Sequence, residues 1–304
     1  EEQFSKALKL IVCNLELFSP NFNRTNQGFE KFKIGWYTKT MKLPTTKLET
    51  KLIALDLDDT LLNHELKITP KTIEALRKAS EKGIYIVLCS GRADNAILPY
   101  VRTLCIAGRQ EGRFLIAING ASIFDLHKRL PIYTNKLDKD VLRFVYEEAK
   151  KRGLPAQVYD ASTIYASEDN KWTRLDAEMC KLNLKYVEDF SAFMENGHPK
   201  MVVPADPKDV AEFIPFLKEK LAGKADVFIS KPYFLEIMPI NCSKGEAILW
   251  LADYLNIPHN QTMAFGDSMN DESMILKAEH GVAMANALEH IKNVANYVTL
   301  KDNN

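Results

Sequence analysis

The stretch KLIALDLDDTLLN, residues 51–63, sets Asp56, Asp58 and Asp59 directly behind an apolar run. Like charge at the tip of a buried strand is costly unless something offsets it. Three further places likewise fall at an expected strand end or the helix start beside it: Ser90-Gly91-Arg92 after IYIVLC, Lys244-Gly245 opening an apolar helical run, and Gly266-Asp267-Ser268-Met269-Asn270-Asp271 after TMAF. A shared cation and phosphate would reconcile them. Mg²⁺ takes oxygen ligands in near-octahedral geometry and keeps several waters, so two carboxylates and a backbone carbonyl suffice. Taken singly, each piece has an ordinary reading: a DxD is a polar turn, Ser90 a cap residue, and Lys244 a solvated helix-start lysine with Lys200 and Lys231 as rivals. Arg92 either steers phosphate or ties down its own loop. The joint placement of the four carries the expectation.

The elements around these residues follow an α/β rhythm. LIALDL, IYIVLCS and FLIAIN are buried-strand runs. Between them, ITPKTIEALRKASEKG reads as a helix with Thr69 as N-cap, Pro70 in the first turn and Gly83 past the end. A second helix spans about residues 94–106. This alternation implies right-handed crossovers and a parallel sheet. After Asn119 the pattern changes to short strands and amphipathic helices, with a hairpin at QVYDASTIYA, residues 157–166. The first rhythm returns with a Ser243-capped helix, the strand TMAFGD and a last short strand, GVAM. The expected architecture is a Rossmann-like, doubly wound parallel-sheet core over 46–122 and 236–304, interrupted by an α+β unit over 123–235. In open sheets of this kind the working groups sit at the carboxyl edge.

Composition excludes several classes. The 304 residues carry 40 basic and 40 acidic side chains, so no basic field exists to attract nucleic acid or an anionic membrane. No apolar run approaches the ~20 residues of a membrane helix, and LKLIVCNLELF at 8–18 lacks the marks of a secretory signal. Five widely spaced cysteines without a CxxC pair read as reduced thiols in a cytoplasmic protein. The six histidines show no HxxxH pair and are expected at the surface or in loops. The GRQEG loop at 108–112 lacks the length and lysine of a P-loop. Residues 1–40 have no clean period; the expectation is either that Met41 is the natural start or that 1–45 is a loosely attached extension.

The four motifs, in this order, resemble those of the haloacid dehalogenase (HAD)-like superfamily. Within it they resemble the Cof-type hydrolases, whose large α/β cap lies between the second and third motifs. The resemblance covers roughly residues 50–304. DLDDTLL is similar to the first motif, with Asp59 where glycine is commonest; LCSGR, SKGEAIL and GDSMND are similar to the second, third and fourth. It implies a Mg²⁺-dependent phosphatase acting on a small phosphorylated metabolite, broadly a sugar phosphate. It further implies Asp56 as nucleophile, Asp58 as acid and base, Lys244 as charge-offsetting cation, and Ser90, Gly91, Arg92 and Asn270 around the phosphate. Metal ligands would be Asp56, the Asp58 backbone carbonyl and Asp267, with Asp271 behind them. Tyr159, Tyr165, Trp172 and Lys200 are cap residues that could meet the leaving group or simply pack. A monomer or weak homodimer is expected. The alternatives are a phosphomutase or phosphotransferase using the same aspartyl-phosphate, and a catalytically idle metabolite-binding regulator.

Overall fold

The structure is a computed structural model and describes residues 48–105 and 113–303. The expectations for residues 1–45, including a start at Met41, and for the GRQEG loop lie outside the described residues. An eight-stranded sheet runs in the order β14-β13-β12-β1-β2-β3-β4-β5. Its central strands are β1 (Leu52–Asp56), β2 (Tyr85–Cys89), β3 (Phe114–Ala117) and β12 (Thr262–Gly266), with β13 (His280–Ala283) and β14 (Tyr297–Val298) beyond β12. All of these pair in parallel. Their side chains alternate between two covered faces, which is why the runs read as continuously apolar. Ile53, Leu55, Ile86, Leu88 and Phe265 enter one core, and Leu52, Ala54, Val87 and Ala264 enter the other.

Helix α1 (Pro70–Glu81) starts as the sequence indicates: the Thr69 hydroxyl accepts from the Thr72 N–H at 3.3 Å. Gly83, just past its end, has φ +79°, a left-handed value glycine takes without penalty. Helix α2 (Asp94–Thr103) follows β2, and α7 (Lys244–Tyr254) buries Ala247, Ile248, Leu251 and Ala252 against the second face. From β1 the chain winds to β2 and β3 on one side and later to β12 and β13 on the other. That makes the β1/β12 boundary the topological switch point, where an open sheet leaves a crevice.

Between these halves lies a six-stranded sheet, β10-β11-β9-β6-β7-β8. It comprises β6 (Gln157–Tyr159), β7 (Thr163–Ala166), β8 (Asn183–Tyr186), β9 (Met201–Pro204), β10 (Ala225–Lys231) and β11 (Phe234–Pro239). Helices α3 (Lys139–Lys151), the short α5 (Phe190–Phe193) and α6 (Pro207–Lys220) cover one face through Val145, Phe190, Phe213 and Leu217. Helix α4 (Lys171–Cys180) lies against the other, near Tyr159 and Ile164.

Both expected boundaries of the insert move. Strands β4 (Ser122–Asp125) and β5 (Leu130–Thr134) form a hairpin that adds antiparallel to β3, so the core sheet continues to Thr134 instead of ending at 122. On the return, Phe234–Pro239 pairs with β9 and β10, so the second sheet runs past 236. Short strands look alike whichever sheet they join, because pairing partners are not written in their own pattern. GVAM is also not the last strand, since β14 follows it. His198 is buried, 9% exposed against the Phe193 ring, instead of lying at the surface. Among the described residues no helix is long and apolar enough to cross a membrane.

Candidate active site

Asp56 closes β1, Asp267 follows β12, and Lys244 is the first residue of α7. The three converge at the carboxyl edge although 188 residues separate Asp56 from Lys244. The Lys244 ammonium donates to Asp56 Oδ1 at 2.5 Å and to Asp271 Oδ1 at 2.6 Å, and its side chain is 0% exposed. A buried lysine at a helix N-terminus works against the helix dipole, so its two carboxylate partners must hold it there. Glycine makes the seat possible: a Cβ on Gly245 would stand 2.3 Å from the Ser273 carbonyl oxygen, so only glycine lets α7 come this close to α8 (Glu272–Lys277). The rival Lys200 instead ion-pairs with Glu236 at 3.4 Å inside the second sheet.

Asp271 is fully occupied by local bonds. Its Oδ2 accepts from the backbone N–H groups of Asp267 and Ser268 at 3.0 and 3.1 Å, a capping box that shapes the fourth motif. Carboxylate oxygens of Asp56, Asp267 and Asp271 lie within 4.8 Å of one another. Burial first, then the charge of Asp271, raises the Asp56 carboxyl above its ordinary range despite Lys244. The same two causes lift Asp267 to about 6. The site thus carries more negative charge than Lys244 offsets. Oxygen ligands of a Mg²⁺ ion stand roughly 3–4 Å apart, given metal–oxygen distances of about 2.1 Å. Asp56 and Asp267, two hard oxygen donors with unmet negative charge and Asp271 behind them, fit such an ion.

The first motif turns sharply after Asp56. Asp59 has φ 58°, in the left-handed region that aspartate tolerates better than most residues. Its carbonyl accepts from Asn286 Nδ2 at 2.7 Å, so aspartate here replaces the commoner glycine without breaking the turn. Thr60, buried, donates its hydroxyl to Asp267 Oδ1 at 2.9 Å. Sequence reasoning assigned Thr60 nothing, although it sits inside the first motif.

Ser90 and Gly91 follow β2 as expected, and the Ser90 hydroxyl accepts from the Arg92 N–H at 3.1 Å. The Arg92 guanidinium is not open toward this loop. It forks onto Asp58, Nε to Oδ2 at 2.9 Å and Nη2 to Oδ1 at 2.5 Å, with Asp58 47% and Arg92 19% exposed. Arg92 therefore ties the second motif to the first. Asn270 is exposed; Ser268 Oγ donates to its Oδ1 at 2.6 Å, and its Nδ2 reaches Asn119 Oδ1 at 3.4 Å. Asn119, at the end of β3, is a second residue that sequence reasoning passed over.

The two sheets touch near this rim, where the Asn95 N–H at the start of α2 donates to the Ala161 carbonyl of the β6–β7 turn at 3.1 Å. Of the cap candidates, Tyr159 is buried and hydrogen-bonded to Asp176, Trp172 stacks on Tyr233 with centroids 4.4 Å apart, and Tyr165 donates to Asp160 at 2.8 Å. Each has a packing role. Cys89, beside Ser90, is buried and its thiol is pushed far up by burial, which fits strand packing and not nucleophilic chemistry.

Comparison with known proteins agrees with this geometry. A family model described as haloacid dehalogenase-like hydrolase matches residues 53–304. Phosphatase YwpJ of Bacillus subtilis is 31% identical over 277 residues, covering 82% of this chain and 94% of that protein. The solved structure of a haloacid dehalogenase-like hydrolase from Bacteroides thetaiotaomicron superposes with TM-score 0.77 at 32% identity, covering 84% of this chain and 95% of that one. The structure of the HAD subclass IIB sugar phosphatase BT4131 superposes with TM-score 0.67 at 26% identity, covering 82% and 93%. The chain belongs to the haloacid dehalogenase-like hydrolases, in their Cof-type branch, and is a phosphoric monoester hydrolase.

Proposed function

We propose that the protein is a Mg²⁺-dependent phosphatase that hydrolyses a small phosphorylated metabolite, of the sugar-phosphate class, through an aspartyl-phosphate on Asp56. The observation that supports this best is the buried convergence of Lys244 with Asp56, Asp267 and Asp271 at the switch point of the sheet. Asp56, Asp267 and the Asp58 carbonyl would hold the ion, which supplies positive charge against the carboxylates and the phosphoryl oxygens. Asp56 attacks phosphorus as the ester bond to the leaving oxygen breaks, which splits one hard displacement into two. Lys244 offsets charge on the nucleophile and the transferring group, and Ser90 with the N–H groups after it holds phosphoryl oxygens.

Asp58 delivers a proton to the leaving oxygen and then takes one from the water that displaces phosphate from Asp56. Both of its oxygens accept from Arg92, which favours the ionised form, so loosening of this fork helps Asp58 to carry that proton. The six-stranded insert serves as a cap that selects the leaving group, and the sugar class rests on the likeness to a sugar phosphatase. With the described cysteines free and formal net charge +0, the same reading is a cytoplasmic enzyme with a small-molecule partner, acting as monomer or weak homodimer. Phosphate release from an aryl phosphate with Mg²⁺ tests it. Asp56→Asn and EDTA should each lower the rate by about three orders of magnitude or more, and Asp58→Asn by about 10²–10⁴-fold. A wild-type rate in Asp56→Asn would overturn the mechanism.

A further inference from the structure

The end of β3 departs from strand geometry in a costly way. Ile118 and Asn119 both have φ 50°, and Gly120 follows at φ 102°. A left-handed conformation costs a non-glycine residue about 1–2 kcal/mol, and a β-branched residue is the worst placed to adopt it. The turn is wedged in place: a Cβ on Gly120 would lie 2.3 Å from the carbonyl oxygen of Ser243, the residue before Lys244. Strain of this kind persists where the surroundings over-determine it, and it gathers at functional sites.

The turn aims the Asn119 side chain at the second motif. The Asn119 N–H donates to the Ser90 carbonyl at 3.0 Å. Its amide group lies flat against Gly91, where a Cβ would be 3.0 Å from Oδ1 and 3.3 Å from Nδ2. Any larger residue at 91 would crowd this amide and push it aside by a few tenths of an ångström. A chain of bonds orients it: Ser268 Oγ donates to Asn270 Oδ1, and Asn270 Nδ2 to Asn119 Oδ1. That fixes the amide oxygen toward the fourth motif and leaves Nδ2, with two N–H donors, as the free end. Among the described residues Nδ2 meets only the thioether of Met238, at 3.9 Å, a weak acceptor.

We propose that Asn119 is a further substrate-contacting residue, whose Nδ2 donates to a non-bridging oxygen of the phosphoryl group held beside Ser90 and Gly91. This rests on the phosphatase reading and extends the cradle to the third strand end. The competing explanation is that asparagine is there only because it tolerates left-handed backbone. Two variants separate them. Asn119→Gly keeps the turn and removes the amide; Asn119→Asp keeps shape and turn but exchanges the donors for a charge that repels phosphate.

The readouts are kcat/KM for an aryl phosphate, the affinity for inorganic phosphate measured by calorimetry with Mg²⁺, and the melting temperature. Both variants should lose about 10²-fold or more in kcat/KM. Phosphate binding should weaken by about 10- to 100-fold, more in the aspartate variant, with little change in melting. Asn119→Gly with wild-type kcat/KM and wild-type phosphate affinity overturns the proposal, as does a wild-type protein that binds no phosphate. A wild type that binds phosphate but releases none from any ester sinks the phosphatase reading alone, and the binding series still decides the role of Asn119.

Discussion

Replacing Lys244 with methionine keeps most of the buried stem and removes only the ammonium. In the wild type that ammonium stands 2.5 Å from Asp56 and 2.6 Å from Asp271, with all three side chains out of solvent. Its removal leaves two buried carboxylates facing each other with Asp267 beside them. Breaking a buried pair by deleting one partner costs about 3–5 kcal/mol. For a chain of this size each kcal/mol moves the melting point by about 2–4 °C, so metal-free Lys244→Met should melt roughly 6–20 °C lower. The loss should shrink at low pH, where Asp56, already pushed up by burial, takes a proton. Adding Asp271→Asn should recover part of it, because the asparagine oxygen can still accept from the Asp267 and Ser268 N–H groups without the charge. Calorimetry in EDTA near pH 8 and again at low pH, on the transition that Mg²⁺ shifts, measures all three. A drop of less than about 1 °C in the single variant would show that these groups are not the buried ionic cluster described, and the charge argument for the site would go with it.

Two other outcomes are expected. Asp267 is held at about 6 against an ordinary 3.8, so the folded metal-free protein binds that proton more tightly than the unfolded chain. The stabilisation is complete below about 3.8 and is lost as pH rises through about 6. EDTA-treated protein should therefore lose stability from about pH 4 to pH 6, and Mg²⁺ should raise the melting point more at about pH 7.5 than at pH 5; an equal rise at both would contradict it. Thr60→Val removes the hydroxyl that supports ionised Asp267. It should weaken Mg²⁺ by about 10–100-fold in an activity titration, and an unchanged titration would deny Thr60 that role.

The four motifs were readable because they occur together and in order, each a few residues at a strand end or helix start; singly each had an ordinary reading, and the roles of Asp56, Asp267 and Lys244 came from the family resemblance. The Thr69 and Ser243 caps were legible from local pattern alone. What stayed hidden depends on which surfaces meet. The β4–β5 hairpin alternates in the same way whether it joins β3 or β6. The fork of Arg92 on Asp58 joins residues from two loops; alone, Arg92 could steer phosphate or tie down its own loop, and Asp58 read as acid and base. Asn119 carried no signal of its own beyond standing at the end of a buried run, and its meaning comes from the backbone turn and from Gly91, which the sequence records only as a small residue.

The middle position of β1 in its sheet has a consequence for how the chain is made. Its neighbour β2 is synthesised almost at once, but β12, which covers its other side, lies beyond the whole six-stranded insert. At ribosomal speeds of about 5–20 residues per second the gap is roughly ten to forty seconds. Throughout that time the backbone groups of Leu52–Asp56 on the side that β12 will cover have no mate, and an open, apolar border of this sort invites a neighbouring nascent chain. Polypeptides released before Thr262 should accordingly clump, whereas those reaching past Gly266 should stay dispersed, which light scattering of a truncation series would reveal.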